Sequence, residues 1–171
     1  MAFCFASDQL LKVAVRSSMV ESQSVQVLGD VFRFTYVENR AAVMGISLLP
    51  LWVVTLASLP AMAIMAWWMW RRLPSRSWLA RILPWVVGGA AGNLFDRLIF
   101  GQVTDMLDVD IPNIALGVFQ LERWWVFNLA DCYIFTGMIL LIVFSFTGKL
   151  EEEPAPIPAG SGDPPPLDAA P

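Results

Sequence analysis

Val43 to Trp70 reads VMGISLLPLWVVTLASLPAMAIMAWWMW, 28 residues without one charge. At about 1.5 Å rise per residue, such a helix exceeds the ~30 Å hydrocarbon layer of a bilayer and can span it with some tilt. Pro50 and Pro60 lie inside this stretch. Within a membrane helix they imply kinks, and nearby Ser or Thr side chains or neighbouring helices satisfy the freed carbonyls. The composition agrees with this reading: of 171 residues, 57% are hydrophobic and 15% charged. An ordinary soluble domain carries roughly 25% charged residues. A soluble globular enzyme is excluded on these grounds.

Two further spans lie downstream. Trp124 to Thr147 holds 24 residues with the single charge Asp131. Leu79 to Phe100 carries Arg81 at one end and Asn93, Asp96 and Arg97 near the other. Gly88, Gly89, Ala90, Ala91 and Gly92 run through its middle. Small residues let helix backbones approach closely, which is how membrane helices pack without a hydrophobic driving force. Met1 to Val15 is apolar apart from Asp8 and Lys12, and its fifteen residues reach only about 23 Å. It lacks the basic leading region of a cleavable signal peptide. It is either a partial span or the remainder of a helix whose true start lies upstream.

Basic residues orient the chain. Arg71, Arg72, Arg76 and Arg81 cluster between two spans, which assigns that loop to the cytoplasm, and Lys149 after the last span agrees. Residues 16–42 and 101–123 then face the other side. Val25 to Tyr36 alternates in polarity about Gly29-Asp30, the pattern of a short hairpin or small sheet. Beyond residue 148 lie 7 of the 12 prolines, and residues 150–171 carry five acids and no base. This acidic tail is expected to be disordered. Without residues 150–171 the body has 11 basic and 10 acidic residues, so the formal charge of -4 belongs to the tail. No basic patch suggests a nucleic-acid partner.

The chain contains no His, which removes His bases, Ser-His and Cys-His pairs and most zinc sites. Cys4 and Cys132 allow one disulfide at most. Chemistry must therefore rest on Asp, Glu, Lys, Ser or Thr. Ionisable groups in membrane segments are costly, and each is a functional hypothesis. Asn93, Asp96 and Arg97 share one helix face, as do Asn128 and Asp131. Asp105 lies eight residues beyond Arg97. The topology puts all six near one depth on the non-cytoplasmic side. Asp96 and Arg97 read equally well as a helix-end charge pair, and Asn93 as packing glue between helices. Asp108 and Asp110 read as solvated loop acids. Asp131, seven residues into an apolar span, needs a partner, with Lys12 or Arg97 nearest by depth. Two carboxylates sharing a site cannot both ionise easily, so one keeps a proton. The ionised one takes a proton from water while the other polarises a carbonyl, which is peptide hydrolysis without metal or covalent intermediate. Asp105 and Asp131 are the best such pair.

Three stretches are similar to motifs of lipoprotein signal peptidase (signal peptidase II). Gly92-Asn93-Leu94-Phe95-Asp96-Arg97 resembles its GNxxDR motif, and Gly101-Gln102-Val103-Thr104-Asp105-Met106-Leu107-Asp108 its GxVxDxxD motif. Phe127-Asn128-Leu129-Ala130-Asp131 resembles its FNxAD motif. Upstream, Asp8 to Lys12 resembles the family's DxxxK, and Asn39 to Val43 its NxGAA segment with Ala41 in place of Gly. The likeness covers roughly residues 6–147. It implies an all-α membrane protein of four transmembrane helices, about 1–16, 43–70, 79–100 and 124–147. A small periplasmic sheet, about 22–40, would lie between the first and second helices. Residues 1–148 would form the peptidase domain and 149–171 a disordered cytoplasmic tail. The resemblance implies a multi-pass protein of the bacterial inner membrane, its termini cytoplasmic and its site near the periplasmic face. The substrate would be a diacylglyceryl prolipoprotein, cut just before the lipidated Cys. Asp105 and Asp131 would form the catalytic dyad. Asn93, Arg97 and Asn128 would orient the dyad and hold substrate backbone, with Asn39, Asp8 and Lys12 in support. Only seven residues precede Asp8, where the family has a longer lead, so an upstream start is expected.

No metal or organic cofactor is expected, and a monomer is the default state. Two other classes compete with the peptidase. A transporter or proton relay would use Asp131, Asp96 and Arg97 but would distribute ionisable groups along the whole bilayer depth. A non-enzymatic scaffold would use the polar residues only to join helices.

Overall fold

The computed structural model describes residues 1–40, 50–72, 77–111, 114–116, 119–121 and 123–148. The tail expected to be disordered over 149–171, Ala41 and Arg76 lie outside these residues, as do residues 43–49 of the expected second span. The elements run α1 (Ala2–Ser18), β1 (Ser24–Leu28), β2 (Phe32–Asn39), α2 (Leu51–Arg72), α3 (Trp78–Phe100), β3 (Val103–Val109), β4 (Ile114–Leu116), β5 (Phe119–Leu121) and α4 (Leu129–Phe146).

Local chemistry sets the helix ends. Pro50 stands just ahead of α2, where its missing N–H costs nothing, so it does not act as the expected internal kink; Pro60 does lie inside. Ser77 caps α3 by accepting the Ala80 N–H, and Gly101 closes it in the left-handed conformation, φ 69°. α4 begins later than hydropathy suggests. Trp124 to Phe127 are apolar but not helical: Phe127 exchanges backbone hydrogen bonds with Leu107 of β3, N to O at 3.0 and 2.7 Å. The helix starts only at Leu129.

The expected hairpin is β1 paired antiparallel with β2, turning at Gly29 with φ 55°. The sheet is not confined to residues 22–40, however. β3, drawn from the segment after α3, pairs antiparallel with β2 and completes the order β1-β2-β3. β4 and β5 form a separate two-stranded ladder.

α3 is packed against α1, α2 and α4. Its glycines lie where neighbours press closest: a Cβ at Gly88 would sit 2.7 Å from the Met1 carbonyl oxygen, and one at Gly89 2.5 Å from that of Ala130. The small-residue run thus serves close approach. Val15, Tyr36 and Met106 form a buried cluster that ties α1 to β2 and β3. Large apolar side chains face outward, among them Phe3, Leu10, Trp52, Ile64, Trp70, Phe135 and Phe146. An outward apolar surface of this extent marks contact with a membrane or another apolar partner. Among the described residues two stretches, Trp52–Arg71 and Leu129–Phe146, are long and apolar enough to cross a membrane, and both are largely exposed. α1 and α3 instead carry the interior charges Asp8, Lys12, Asp96 and Arg97.

Candidate active site

The start of α4 is built by side chains. Asn128 is the N-cap: its Oδ1 accepts the Asp131 N–H at 3.0 Å, while Asp131 Oδ2 accepts the Asn128 N–H at 3.2 Å. This is a reciprocal capping box. Asp8 of α1 reaches across, its Oδ1 accepting the Ala130 N–H at 2.9 Å. Two carboxylates therefore sit at the positive end of the helix dipole. Asp131 is thus in the first turn of the helix, not seven residues inside an apolar span as expected, and its local partners are N–H groups. Its Oδ1 accepts from Asn93 Nδ2 at 2.8 Å.

Asp105 comes from β3. Its Oδ1 accepts from Asn128 Nδ2 at 2.6 Å and its Oδ2 from Asn39 Nδ2 at 2.9 Å. Burial pushes its pKa up to about 7, and the nearby Asp131 carboxylate adds to that rise. Asn128 therefore touches both carboxylates at once.

Behind these groups lies a buried ionic cluster. Lys12 is fully buried, with Nζ 2.9 Å from Asp8 Oδ2 and 3.1 Å from Asp96 Oδ2. It also donates to Asn93 Oδ1 at 2.9 Å. That bond turns the Asn93 amide nitrogen toward Asp131. The expected approach of Lys12 to Asp131 is thus made through Asn93. Gly92 is required here, because a Cβ would lie 2.5 Å from Asp8 Oδ2.

Asn39, Asn93, Arg97, Asp105, Asn128 and Asp131 all line one cavity of about 700 Å³. Arg97 acts electrostatically on Asp131, Asp105 and Asp96. The cavity continues along Met62 of α2 and Ile134, Phe135 and Met138 of α4, so an apolar groove leads away from the polar end. Asp8 and Lys12 do not line it. The polar side chains gather where α3 ends and α4 begins, while Leu51–Trp70 and Cys132–Phe146 carry no Asp, Glu, Lys, Arg or His. A relay through the whole bilayer depth has no charged residues to run on in those stretches.

Two acids differ in setting from the sequence reading, which took Asp108 as a solvated loop acid and Asp96 as a functional candidate or a partner of Arg97. Asp108 is not a solvated loop acid: it is 6% exposed, accepts from Thr35 Oγ1 at 2.7 Å and from Arg123 Nε at 2.8 Å. Asp96 is 0% exposed and is ion-paired with Lys12 and Arg16. Asp96 lies one turn from Asn93 and five residues before the Gly101 helix stop; that is the signal that could have marked it as a buried anchor.

Residues 1–147 match the family model described as signal peptidase (SPase) II. The lipoprotein signal peptidase of Alteromonas mediterranea is 35% identical over 171 residues, 95% of this chain and 88% of that protein. That of Moorella thermoacetica is 40% identical over 138 residues, covering 80% of this chain and 83% of the relative. A solved bacterial membrane enzyme superposes with a TM-score of 0.72 at 21% identity, over 91% of this chain and 90% of the other. That likeness extends to the fold alone. The class is a peptidase of the membrane, and the chain belongs to the signal peptidase II family.

Proposed function

We propose that this protein removes the signal peptide from diacylglyceryl-modified prolipoproteins, cutting before the lipidated Cys with two Asp that activate water. Family membership supports the substrate. The observation that carries the mechanism is the pair Asp105 and Asp131 on one cavity wall, both hydrogen-bonded to Asn128.

Asp105 starts as the proton holder, as its raised pKa of about 7 favours. Asp131 accepts a proton from water as the water oxygen attacks the scissile carbonyl carbon. Asp105 donates to the carbonyl oxygen, giving a tetrahedral diol. On collapse Asp105 takes back a proton from a diol hydroxyl, the C–N bond breaks, and the proton taken by Asp131 passes to the departing nitrogen, which restores both carboxyl groups to their starting states. The products are a signal-peptide carboxylate and a free amine on the lipidated Cys. Arg97, Asn93 and Asn39 hold the carboxylates and substrate backbone, and Asp8 and Lys12 support them from α1. The apolar groove beyond the dyad suits a lipid-bearing peptide, whose acyl chains anchor it at about 0.8 kcal/mol per buried CH₂.

In this reading all four helices cross the bacterial inner membrane with the termini cytoplasmic. The site then lies near the periplasmic face, opposite the Arg-rich link between α2 and α3. One chain supplies every proposed group, so a monomer suffices. The test is cleavage by the purified chain in lipid. Release of the signal peptide from a diacylglyceryl prolipoprotein, with no cut in the same precursor lacking the lipid, is expected. Equal cleavage of both, or of neither, contradicts the reading.

A further inference from the structure

Thr104, the residue before Asp105, is gripped at both of its hydrogen-bonding ends. Its backbone N–H donates to Asp96 Oδ2 at 3.1 Å, across the reversal made at Gly101. Its Oγ1 accepts from Arg16 Nη1 at 2.8 Å. Arg16 lies in the last turn of α1, with its guanidinium 4.3 Å above the Phe100 ring and Nη1 3.5 Å from Asp96 Oδ1. Asp96 is in turn neutralised by Lys12 and accepts from Gln9 Nε2 at 3.2 Å. Thr104 is itself buried, 3% exposed.

The sheet explains why such a grip is needed. The β2–β3 register is broken between Phe34 and Val37, so Leu107 and Asp105 belong to two separate runs of pairing. Only Val103, Thr104 and Asp105 form the run that holds Asp105. A slip of one residue turns every side chain to the opposite face, and a run of three pairs resists that weakly. A fixed point from outside the sheet removes the freedom.

We infer that Arg16, with Asp96, clamps Thr104 and so acts as a positioning residue for Asp105, locking the strand register in which Asp105 faces Asn128. This rests on the proposed role of Asp105. The clamp touches neither the cavity nor the substrate, so its loss lowers kcat and leaves KM in place.

The experiment uses the full chain in lipid with a diacylglyceryl prolipoprotein, and compares Thr104→Val, Arg16→Met, the double variant and Asp105→Asn. Thr104→Val is near-isosteric and keeps the backbone N–H, so it folds even where Arg16→Met is unstable. Thr104→Val and Arg16→Met are each expected to lower kcat about tenfold or more with KM unchanged. The double variant is expected to be no slower than the worse single, because both remove one contact. The pH profile of kcat should also shift, since Asp105 leaves its buried position. Wild-type kcat in Thr104→Val, or losses that add in the double variant and follow the melting temperature, overturn the clamp. If Asp105→Asn abolishes cleavage while the clamp variants are unaffected, the clamp alone is wrong. If Asp105→Asn cleaves normally, the dyad reading and the clamp both fall.

Discussion

Asn128 joins Asp105 and Asp131 through a single side chain: its Nδ2 donates to Asp105 Oδ1 at 2.6 Å and its Oδ1 accepts the Asp131 N–H at 3.0 Å. The same side-chain amide therefore caps the helix that carries Asp131 and holds the Asp105 carboxylate. Asn128→Ser separates these duties. Serine is a good N-cap, so α4 should keep its start within about 1 kcal/mol. Serine cannot reach Asp105, so kcat should fall at least about a hundredfold. Melting temperature and cleavage rate measured on one preparation check both halves; a variant with full activity contradicts the linking role.

Lys12 is the cation for two buried acids, Asp8 and Asp96. Lys12→Met removes the counter-charge of Asp8 and leaves Asp96 with Arg16 alone, and breaking a buried pair in this way costs about 3–5 kcal/mol. Adding Asp8→Asn should recover part of the loss, since one uncompensated charge is then removed. Thermal unfolding in detergent is the measurement. A Lys12→Met protein as stable as wild type would mean that the cluster is not the anchor described.

Close packing of α3 makes a graded prediction. A Cβ at Gly89 meets the Ala130 carbonyl oxygen at 2.5 Å, a backbone atom at the start of α4, whereas one at Gly92 meets the Asp8 carboxylate at 2.5 Å. Gly89→Ala should destabilise by about 1–3 kcal/mol and displace Asp131 with the helix start. Gly92→Ala should disturb Asp8 and, through it, the Ala130 N–H contact. Both should unfold at lower temperature than wild type in a melting experiment, with Gly89→Ala also losing activity.

The raised pKa of Asp105 sets a pH dependence. Its ordinary value is 3.8, and in the folded chain it is pushed up to about 7. If the protonated form is the working one, kcat/KM should fall as pH rises above about 7, approaching tenfold per unit. For stability the sign runs the same way. The folded chain keeps a proton that the unfolded chain loses, so stability falls as pH rises from about 4 to about 7 and is then level. Asp105→Asn should lack that segment of the curve. Rates and melting temperatures across pH 4–9 check both.

How much of this was readable beforehand differs by element. The expected span 79–100 and α3 at Trp78–Phe100 nearly coincide, because Ser77 and Gly101 are strong stop signals flanking a continuous apolar run. The start of α4 was misplaced because Trp124 to Phe127 are as apolar as a helix. What makes them extended is pairing with β3, a partner that hydropathy does not see. β3 itself was hidden for a related reason: Val103 to Asp108 is buried on both faces apart from partly exposed Leu107, so polar Thr104 and Asp108 break the usual alternation. The motif residues could be named from the chain alone, yet their grouping depends on Asp8, Lys12 and Asn39 arriving from elements far away in sequence. The burial of Asp108 and Asp96 was hidden because their cations, Arg123 for the first and Lys12 with Arg16 for the second, are likewise supplied from elsewhere in the chain.

The most direct measurement is cleavage of a diacylglyceryl prolipoprotein by Asp105→Asn and Asp131→Asn, each purified in lipid with its folding verified by melting. Each single substitution is expected to abolish release of the signal peptide. Normal release by either folded variant would contradict the dyad.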